Sequence, residues 1–212
     1  MSRYRSADER RAQLMTAGAE LFTNKGFAAT TLDDITRLAG VSKGLFYQYF
    51  PSKEGLVFAL QEKFAAQFAT DLTAAAAACA DWPGKLDAVV LTCFRRFTGD
   101  RGLPGVLFGH VSGDAADSRD PLAPGHRAAH RQLVDAIAAV LGAGVAAGAY
   151  QVDDVEATAL LFFTTVHAFA PVLRPDIDMA DDRLLRATQQ LVRGAVGLTT
   201  LASTPGPIST TH

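Results

Sequence analysis

The sequence has few of the features that mark a secreted, membrane-spanning or disulfide-stapled chain. Only two of its 212 residues are cysteine, which is too few for the disulfide framework of a small secreted protein. The opening residues, MSRYRSADERR, contain no apolar segment of the kind found in signal peptides. No stretch approaches the roughly 18 apolar residues that a membrane span needs. We therefore expect a cytoplasmic protein with no membrane partner.

Several motifs of catalytic and cofactor sites are missing as well. The chain has no GxxxxGK[ST] phosphate loop, no GxGxxG dinucleotide fingerprint and no HExxH zinc motif. We therefore expect neither an enzyme nor a bound cofactor or metal. Alternating, strand-like patterns are scarce and alanine is abundant, which favours an all-α protein.

Charge is distributed unevenly along the chain. Residues 1–55 carry eight Lys or Arg and six Asp or Glu, whereas the remaining residues carry twelve and sixteen. With a formal net charge of −2, the chain as a whole does not resemble a nucleic-acid binder. The distribution nevertheless points to a basic head on an acidic body.

Polar caps and helix-breaking residues mark the helices of the N-terminal quarter. A Ser, Thr or Asp before a helix bonds its free N–H groups. Gly ends a helix in the left-handed conformation, and Pro disfavours helical geometry in the residue before it. We predict helices that begin at Ser6, Thr30-Thr31, Ser42 and Ser52, with Glu9 and Asp34 as partners of the first two caps and with ends at Gly26, Gly40 and Pro51.

The remainder of the chain is also predicted to be helical. Helices are expected over 86–97, 106–111, 125–147 and 181–201, and another is capped by Asp153 with Glu156 and runs to Pro171. DWPGKL is predicted to be a break and residues 112–125 a polar loop. We divide the chain into a three-helix domain over 1–51, a helical body over 52–202 and a disordered tail over 203–212.

The third predicted helix has two different faces on a wheel of 100° per residue. One face would pack against the other helices and holds Leu45, Phe46 and Tyr49. The opposite face holds Lys43, Gly44, Tyr47 and Gln48, whose groups can bond phosphates and base edges. Periodicity alone leaves two interpretations: the recognition helix of a helix-turn-helix, or an exposed amphipathic helix in an ordinary bundle.

The segment GFAATTLDDITRLAGVSKGLFYQYFPSKEGL decides between them, because it resembles the DNA-binding domain of the TetR (tetracycline repressor) family of transcriptional regulators. The match is gapless, and with the preceding AGAELFTNKG it covers about the first 60 residues. The rest of the chain is similar only in its helical layout. The resemblance implies a helix-turn-helix domain that binds a double-stranded DNA operator, followed by a ligand-binding and dimerisation body.

The resemblance also implies which residues contact DNA. The Thr that opens the second helix and the Lys that opens the fourth meet phosphates in the family, while residues of the third helix lie at or near the groove. Leu45 departs from the family pattern, since several relatives have a polar residue there, and it can only touch a thymine methyl or pack. The implied contacts are Thr30, Thr31, Ser42, Lys43, Gly44, Leu45, Tyr47, Gln48, Tyr49 and Lys53.

Aromatic side chains recur along the helices of the body, where the family places an inducer cavity. They suggest an apolar or aromatic small-molecule effector, and the alternative is an ordinary aromatic core. Two histidines stand where a pure core would carry Leu. The candidate ligand residues are Phe64, Phe68, Phe94, Phe97, Phe108, His110, Phe162, Phe163 and His167.

Two further patterns carry weaker hypotheses. His126 and His130 have the i, i+4 spacing of a shared metal site, but no further ligand accompanies them, and a solvated helix start is the alternative. Cys79 and Cys93 could sense redox state, yet neither has an obvious basic neighbour that would lower its pKa.

The last two helices have wide apolar surfaces. In the TetR family these helices pair with their copies in a four-helix bundle, so we expect a homodimer; packing within one subunit is the alternative. We predict a repressor of a palindromic operator that an effector releases. The alternative function is a small-molecule binding protein with no DNA role.

Overall fold

The computed structural model describes residues 6–98, Leu103, 106–107, 124–167 and 182–198, and these residues form helices and no strand. The predicted all-α class is confirmed for them. No helix among them is long and apolar enough to cross a bilayer. The helices with defined bounds are α1 (Ala7–Lys25), α2 (Leu32–Ala39), α3 (Lys43–Tyr49), α4 (Lys53–Ala77), α5 (Trp82–Thr98), α6 (Pro124–Ala146), α7 (Val155–His167) and α8 (Asp182–Ala195).

The first four helices begin at the predicted caps. Ser6, Thr31, Ser42 and Ser52 each accept a hydrogen bond through the side chain from an N–H in the first turn of their helix. The caps satisfy donors that have no partner inside the helix. At α2 the cap is reciprocal, and the N–H of Thr31 donates to Asp34 and holds the pKa of that carboxyl below its ordinary value.

The three N-terminal helices and the start of α4 enclose one apolar core. Leu14, Phe22, Ile35, Phe46 and Leu56, drawn from all four helices, are completely buried. Burying an aromatic or aliphatic side chain of this size stabilises the fold by about 1.5–3 kcal/mol. None of the short helices could bury its apolar face alone, so α4 is part of this bundle.

Helix α4 also reaches a second, larger core in the body. Its later turns bury Phe68 and Leu72 and pack mainly on α6 and α5. Phe64 lies between the two cores and packs against both. Beside it, the buried Gln61 donates to the carbonyl of Leu107, 2.7 Å away. The boundary after residue 51 stays a prediction, since α4 contributes to both cores.

The far end of the body is held by polar contacts between helices. The Tyr150 hydroxyl donates to the carbonyl of Trp82 at 2.7 Å, and burial raises the pKa of Tyr150 to about 12. The Tyr150 ring lies so close to Gly144 that a Cβ there would come within 2.0 Å of it. The Arg193 guanidinium pairs with Asp87, which ties α8 to α5.

The start of α5 differs from the prediction. The segment DWPGKL was expected to break the chain before a helix over 86–97, but α5 already begins at Trp82. Asp81 caps it by accepting from the N–H of Gly84 at 2.7 Å. Pro83 lies in the first turn, where a missing N–H costs nothing because it has no helical partner. A Pro-Gly pair here is therefore part of a helix start.

Two other boundaries are corrected. Asp154, rather than Asp153, caps α7 by accepting a hydrogen bond from its first turn. Helix α8 ends at Ala195 and not near Leu201, because Gly197 takes a φ of 75° and the chain turns there. Pro124 and Gly125, the last residues of the predicted polar loop, already belong to α6. The rest of that loop, most of the predicted helix over 106–111 and the tail from 203 lie outside the described residues.

Candidate nucleic-acid interface

A tight turn at Gly40 joins α2 to α3. Gly40 has a φ of 65°, and the N–H groups of Gly40 and Val41 return to the carbonyls of Arg37 and Thr36 at 3.2 and 2.9 Å. These two bonds form a Schellman ending, in which the left-handed residue is nearly always glycine. Any other L-residue would be disfavoured by roughly 1–2 kcal/mol in that conformation. The turn leads at once into Ser42 and α3, as a helix-turn-helix requires.

The predicted division of α3 into two faces is confirmed. Phe46 is completely buried, and its ring centroid lies 5.7 Å from that of Phe50 in the N-terminal core. Leu45 and Tyr49 are half-buried at the border between the faces. The outer face is exposed, with Tyr47 at 54% exposure, and consists of Lys43, Gly44, Tyr47 and Gln48.

Beside this outer face, a concave site of about 370 Å³ opens between the starts of α2 and α4. The first-turn N–H groups of a helix have no partner within the helix, and the helix dipole favours an anion near them. Two such starts at one site make it suitable for a phosphate. The lining residues are Ala28, Thr30, Thr31, Leu32, Tyr47, Pro51, Ser52, Lys53 and Glu54.

The two threonines predicted at this site have different positions. Thr30 is 1% exposed, and its hydroxyl donates inward to the carbonyl of Gly26 at 2.7 Å. Thr31 is exposed; its hydroxyl donates to Asp34 at 2.9 Å and accepts from the N–H of the same residue at 3.2 Å. Of the pair, Thr31 is therefore the one placed to meet a ligand.

Lys53 has a structural role that sequence reasoning missed. Its ammonium donates to the carbonyls of Phe27 and Thr30 at 2.8 and 2.9 Å and lies 4.0 Å from the centroid of the Phe27 ring. The contacts fasten the loop before α2 to the start of α4. An ammonium has three N–H donors, so one remains for the predicted phosphate contact.

Lys43, on the outer face of α3, forms an ion pair with Asp33 of α2. The Lys43 Nζ and the Asp33 Oδ1 are 2.6 Å apart, and both side chains are more than half exposed. The hydrogen bond and the charge of Asp33 raise the pKa of Lys43 above its ordinary value. Lys43 is therefore charged and is held by α2 in the free protein.

The turn between α2 and α3 and the start of α3 read GVSKG, which has the G-x-S-x-G spacing of a hydrolase nucleophile elbow. That motif needs a strand-to-helix turn with an exposed serine. Ser42 instead lies between two helices, and its Oγ accepts from the N–H of Leu45 at 3.2 Å as the cap of α3. The spacing here belongs to a helix-turn-helix.

The structure places part of the predicted ligand set inside the body. Phe68, Phe162 and Phe163 belong to the body core, Phe94 is buried, and His167 is half-buried. Burial lowers the pKa of His167 below its ordinary value of 6.5. The Phe97 side chain, Phe108 and His110 lie outside the described residues.

Of the two histidines considered for a shared metal, only His130 has a side chain within the described residues. His130 packs against Phe163 and His167, with ring centroids 5.1 and 5.3 Å away. The His126 side chain is outside the described residues, and within them no three His, Cys, Asp or Glu side chains group as metal ligands. Cys93 is buried, which raises the pKa of its thiol and disfavours the reactive thiolate.

Two functional candidates were missed in the sequence. Sequence analysis gave Asp33 no role, because its pairing with Lys43 depends on how the Gly40 turn sets α2 against α3. Arg96 lies with its guanidinium carbon 4.6 Å from the Phe64 ring centroid, and its Nη2 is 3.6 Å from Asp71. The motif CFRRF, a cation between aromatics at the end of α5, could have indicated it.

An exposed polar helix after a Schellman turn, beside a site lined by two helix starts, is the arrangement expected of a helix-turn-helix DNA-binding protein. Comparison with known proteins narrows this class. The family model for bacterial regulatory proteins of the tetR family matches residues 14–60. The transcriptional activator FasR of Mycolicibacterium smegmatis is 45% identical over 56 residues, which are 26% of this chain and 26% of FasR. The chain thus spans about a quarter of the length of this curated relative.

Two longer matches extend into the body. The repressor KstR2 of Rhodococcus jostii is 29% identical over 148 residues, which cover 69% of this chain and 71% of KstR2. The fold of the regulator FadR of Bacillus subtilis, solved in complex with stearoyl-CoA, is similar with a TM-score of 0.69, 20% identity and coverage of 87% of this chain and 98% of that one. Residues 14–60 thus match the tetR family of bacterial regulatory proteins, and the fold of the chain is similar to that of a solved regulator.

Proposed function

We propose that the protein is a homodimeric repressor that binds a palindromic DNA operator and is released from it by a small molecule. Each protomer inserts α3 into one major groove. The half-sites lie one helical turn of DNA or slightly more apart, about 34–36 Å. Such a regulator works in the cytoplasm, where the DNA is. Repression, rather than activation, is supported by the repressor KstR2, a relative whose match extends over 69% of this chain.

The exposed face of α3 is the observation that carries the DNA-binding role. Lys43, Tyr47 and Gln48 offer an ammonium, a phenol and an amide on one exposed face, and Gly44 lets another backbone come close. The concave site beside Tyr47 can take a phosphate on the same side of the molecule. Phosphate contacts fix the position of the protein, and groups on the groove-facing helix read bases.

The dimer is supported by leucines exposed on the last two helices. Leu160 and Leu161 of α7 are 54% and 68% exposed, and Leu191 of α8 is 60% exposed. Neighbouring helices with apolar side chains on their outer faces suit burial against a second copy. A two-fold axis there would present two copies of α3 to one palindrome.

The proposed effector is an apolar or aromatic small molecule that binds within the body. The support is the set of buried phenylalanines around α4, α5 and α7, together with the half-buried His167 and Arg96. FadR of Bacillus subtilis, whose fold is similar, was solved in complex with stearoyl-CoA. Release requires that the effector bind more tightly to the conformer that does not fit DNA than to the conformer that does. A tenfold preference in affinity corresponds to about 1.4 kcal/mol.

The test is to select duplexes from a random-sequence pool with purified protein. We expect enrichment of a palindrome, and binding that weakens steeply with salt, with a slope in log–log form of about −0.9 per phosphate contacted. The complex with this duplex should contain two protein chains. If no sequence is enriched and binding does not depend on salt, the protein is instead a small-molecule binder with no DNA role.

A further inference from the structure

The ion pair between Lys43 and Asp33 lies on the surface that the proposed function assigns to DNA. Their charged atoms are 2.6 Å apart and the side chains are 58% and 59% exposed, so the pair is open to an approaching duplex. Its neighbour Asp34 is occupied elsewhere, because it caps α2 and pairs with Lys25 and Arg37. Asp33 is thus the acidic group that holds the cation of the recognition helix.

The pair sets two demands on DNA binding. A phosphate or base acceptor must replace the Asp33 carboxylate as the partner of Lys43. The carboxylate that is left behind then faces a polyanion and is repelled. A DNA sequence that offers Lys43 a guanine edge, with O6 and N7 as two acceptors, compensates for the exchange better than a lone phosphate does. Exposed pairs are weak and strongly screened, so the exchange is readily reversible.

We propose that Asp33 is a specificity-determining residue, which keeps Lys43 from non-cognate DNA and yields it only at the operator. This inference rests on the proposed DNA-binding function. It predicts that Asp33 lowers affinity for every duplex but lowers it most for duplexes without the correct base. Its benefit is a larger ratio of specific to non-specific binding, the quantity that decides occupancy among the many sites of a genome.

The experiment measures binding of two duplexes by the full-length protein over a range of salt: the palindrome selected by the wild-type protein, and a shuffled duplex of the same composition. The variants are Asp33→Asn, Lys43→Gln and the double variant, with Glu62→Gln as control. Glu62 is exposed on α4, and its substitution changes net charge by the same amount. Asp33→Glu keeps a carboxylate near Lys43 and should retain wild-type discrimination.

We expect Asp33→Asn to bind the shuffled duplex roughly two- to fivefold more tightly per protomer. Its salt slope there should steepen by about 0.9 per protomer, because Lys43 now displaces a counterion. The gain for the palindrome should be smaller. In the Lys43→Gln background, Asp33→Asn should have a much smaller effect, equal for the two duplexes, because only the repulsion between the carboxylate and DNA is then removed.

Three outcomes would overturn the inference. Asp33→Asn could behave like Glu62→Gln, or could tighten both duplexes equally, and then it sets no specificity. Its full effect could persist in the Lys43→Gln background, and then it acts by direct repulsion and not through Lys43. These results all require a selected palindrome, so failure of the selection itself would refute the proposed function separately. Because Asp33 lies in the first turn of α2, melting temperatures of all variants confirm that the domain remains folded.

Discussion

Substitution of two neighbouring aromatic residues tests the division of α3 into a packing face and a reading face. Phe46 is completely buried and Tyr47 is 54% exposed. Truncation of a buried phenylalanine costs about 3–5 kcal/mol of the free energy of unfolding, whereas a surface substitution changes it by about 0.5 kcal/mol or less. Phe46→Ala should therefore lower the urea midpoint of the N-terminal bundle severely, and Tyr47→Ala should leave it nearly unchanged.

Tyr47→Ala should instead weaken DNA binding, because it removes a contact with DNA and not a packing contact. A hydrogen bond from a phenol to a charged phosphate contributes about 1.5–3 kcal/mol, and the proposed dimer makes it twice. Tyr47→Ala should then raise the Kd for the selected palindrome by about two to four orders of magnitude at unchanged stability. Fluorescence anisotropy measures this Kd, and Tyr47→Phe, which removes only the hydroxyl, separates the hydrogen bond from the ring.

Two results would refute this account of α3. If Tyr47→Ala unfolds at a urea concentration as low as Phe46→Ala does, Tyr47 is a packing residue. If Tyr47→Ala is stable and binds the palindrome as tightly as the wild-type protein, the outer face of α3 does not contact DNA.

Three other predictions concern the body. Leu161→Glu places a charge on the proposed dimer face and should halve the mass measured by light scattering. Burial lowers the pKa of His167 below 6.5, so as pH falls the unfolded chain binds this proton before the folded chain does. The free energy of unfolding should therefore decrease as pH falls below about 6.5. His167→Leu should reduce this decrease, as measured by melting temperatures over a pH series. Gly144→Ala should destabilise the body by about 1–3 kcal/mol in urea, since a Cβ meets Tyr150 at 2.0 Å, whereas Gly142→Ala, two residues away with its nearest contact at 4.0 Å, should be neutral or stabilising.

Controls make the first two of these predictions decisive. Leu38→Glu alters another exposed leucine, 48% exposed on α2, and should leave the dimer mass unchanged. Equal loss of dimer in both variants would mean that charge alone, rather than the face, is responsible. For His167, a pH dependence identical to that of the wild-type protein in His167→Leu would show that other groups control acid stability.

The helices of the N-terminal bundle were predictable because their signals are local. Caps such as Ser6 and Thr31 and the glycine at 40 act within one helix turn, so composition and spacing determine them. The buried and exposed faces of α3 follow from periodicity in the same way. The predicted start of α5 was wrong, because a Pro-Gly pair in the first turn of a helix resembles a break when the cap, Asp81, is not recognised.

The site was only partly predictable, because its polar partners are distant in sequence. Lys53 bonds the carbonyls of Phe27 and Thr30, more than 20 residues away, and periodicity contains no signal for that bond. The pair of Lys43 and Asp33 depends on the angle between two helices, which the Gly40 turn sets. The polar groups of the body, such as Arg96 beside Phe64, meet only after the helices have packed.

The sharing of α4 between two cores has a consequence for exchanging parts between regulators of similar fold. A junction placed at the start of α4 would separate the grafted helices α1 to α3 from Leu56, which is buried in their core. The transplanted piece must run at least to Phe64, where the two cores meet. It must also keep Leu107, whose carbonyl accepts a hydrogen bond from Gln61. Chimeras joined in the middle of α4 should fold, while those joined at residue 51 should not, so the unit that can be exchanged is longer than the DNA-binding motif itself.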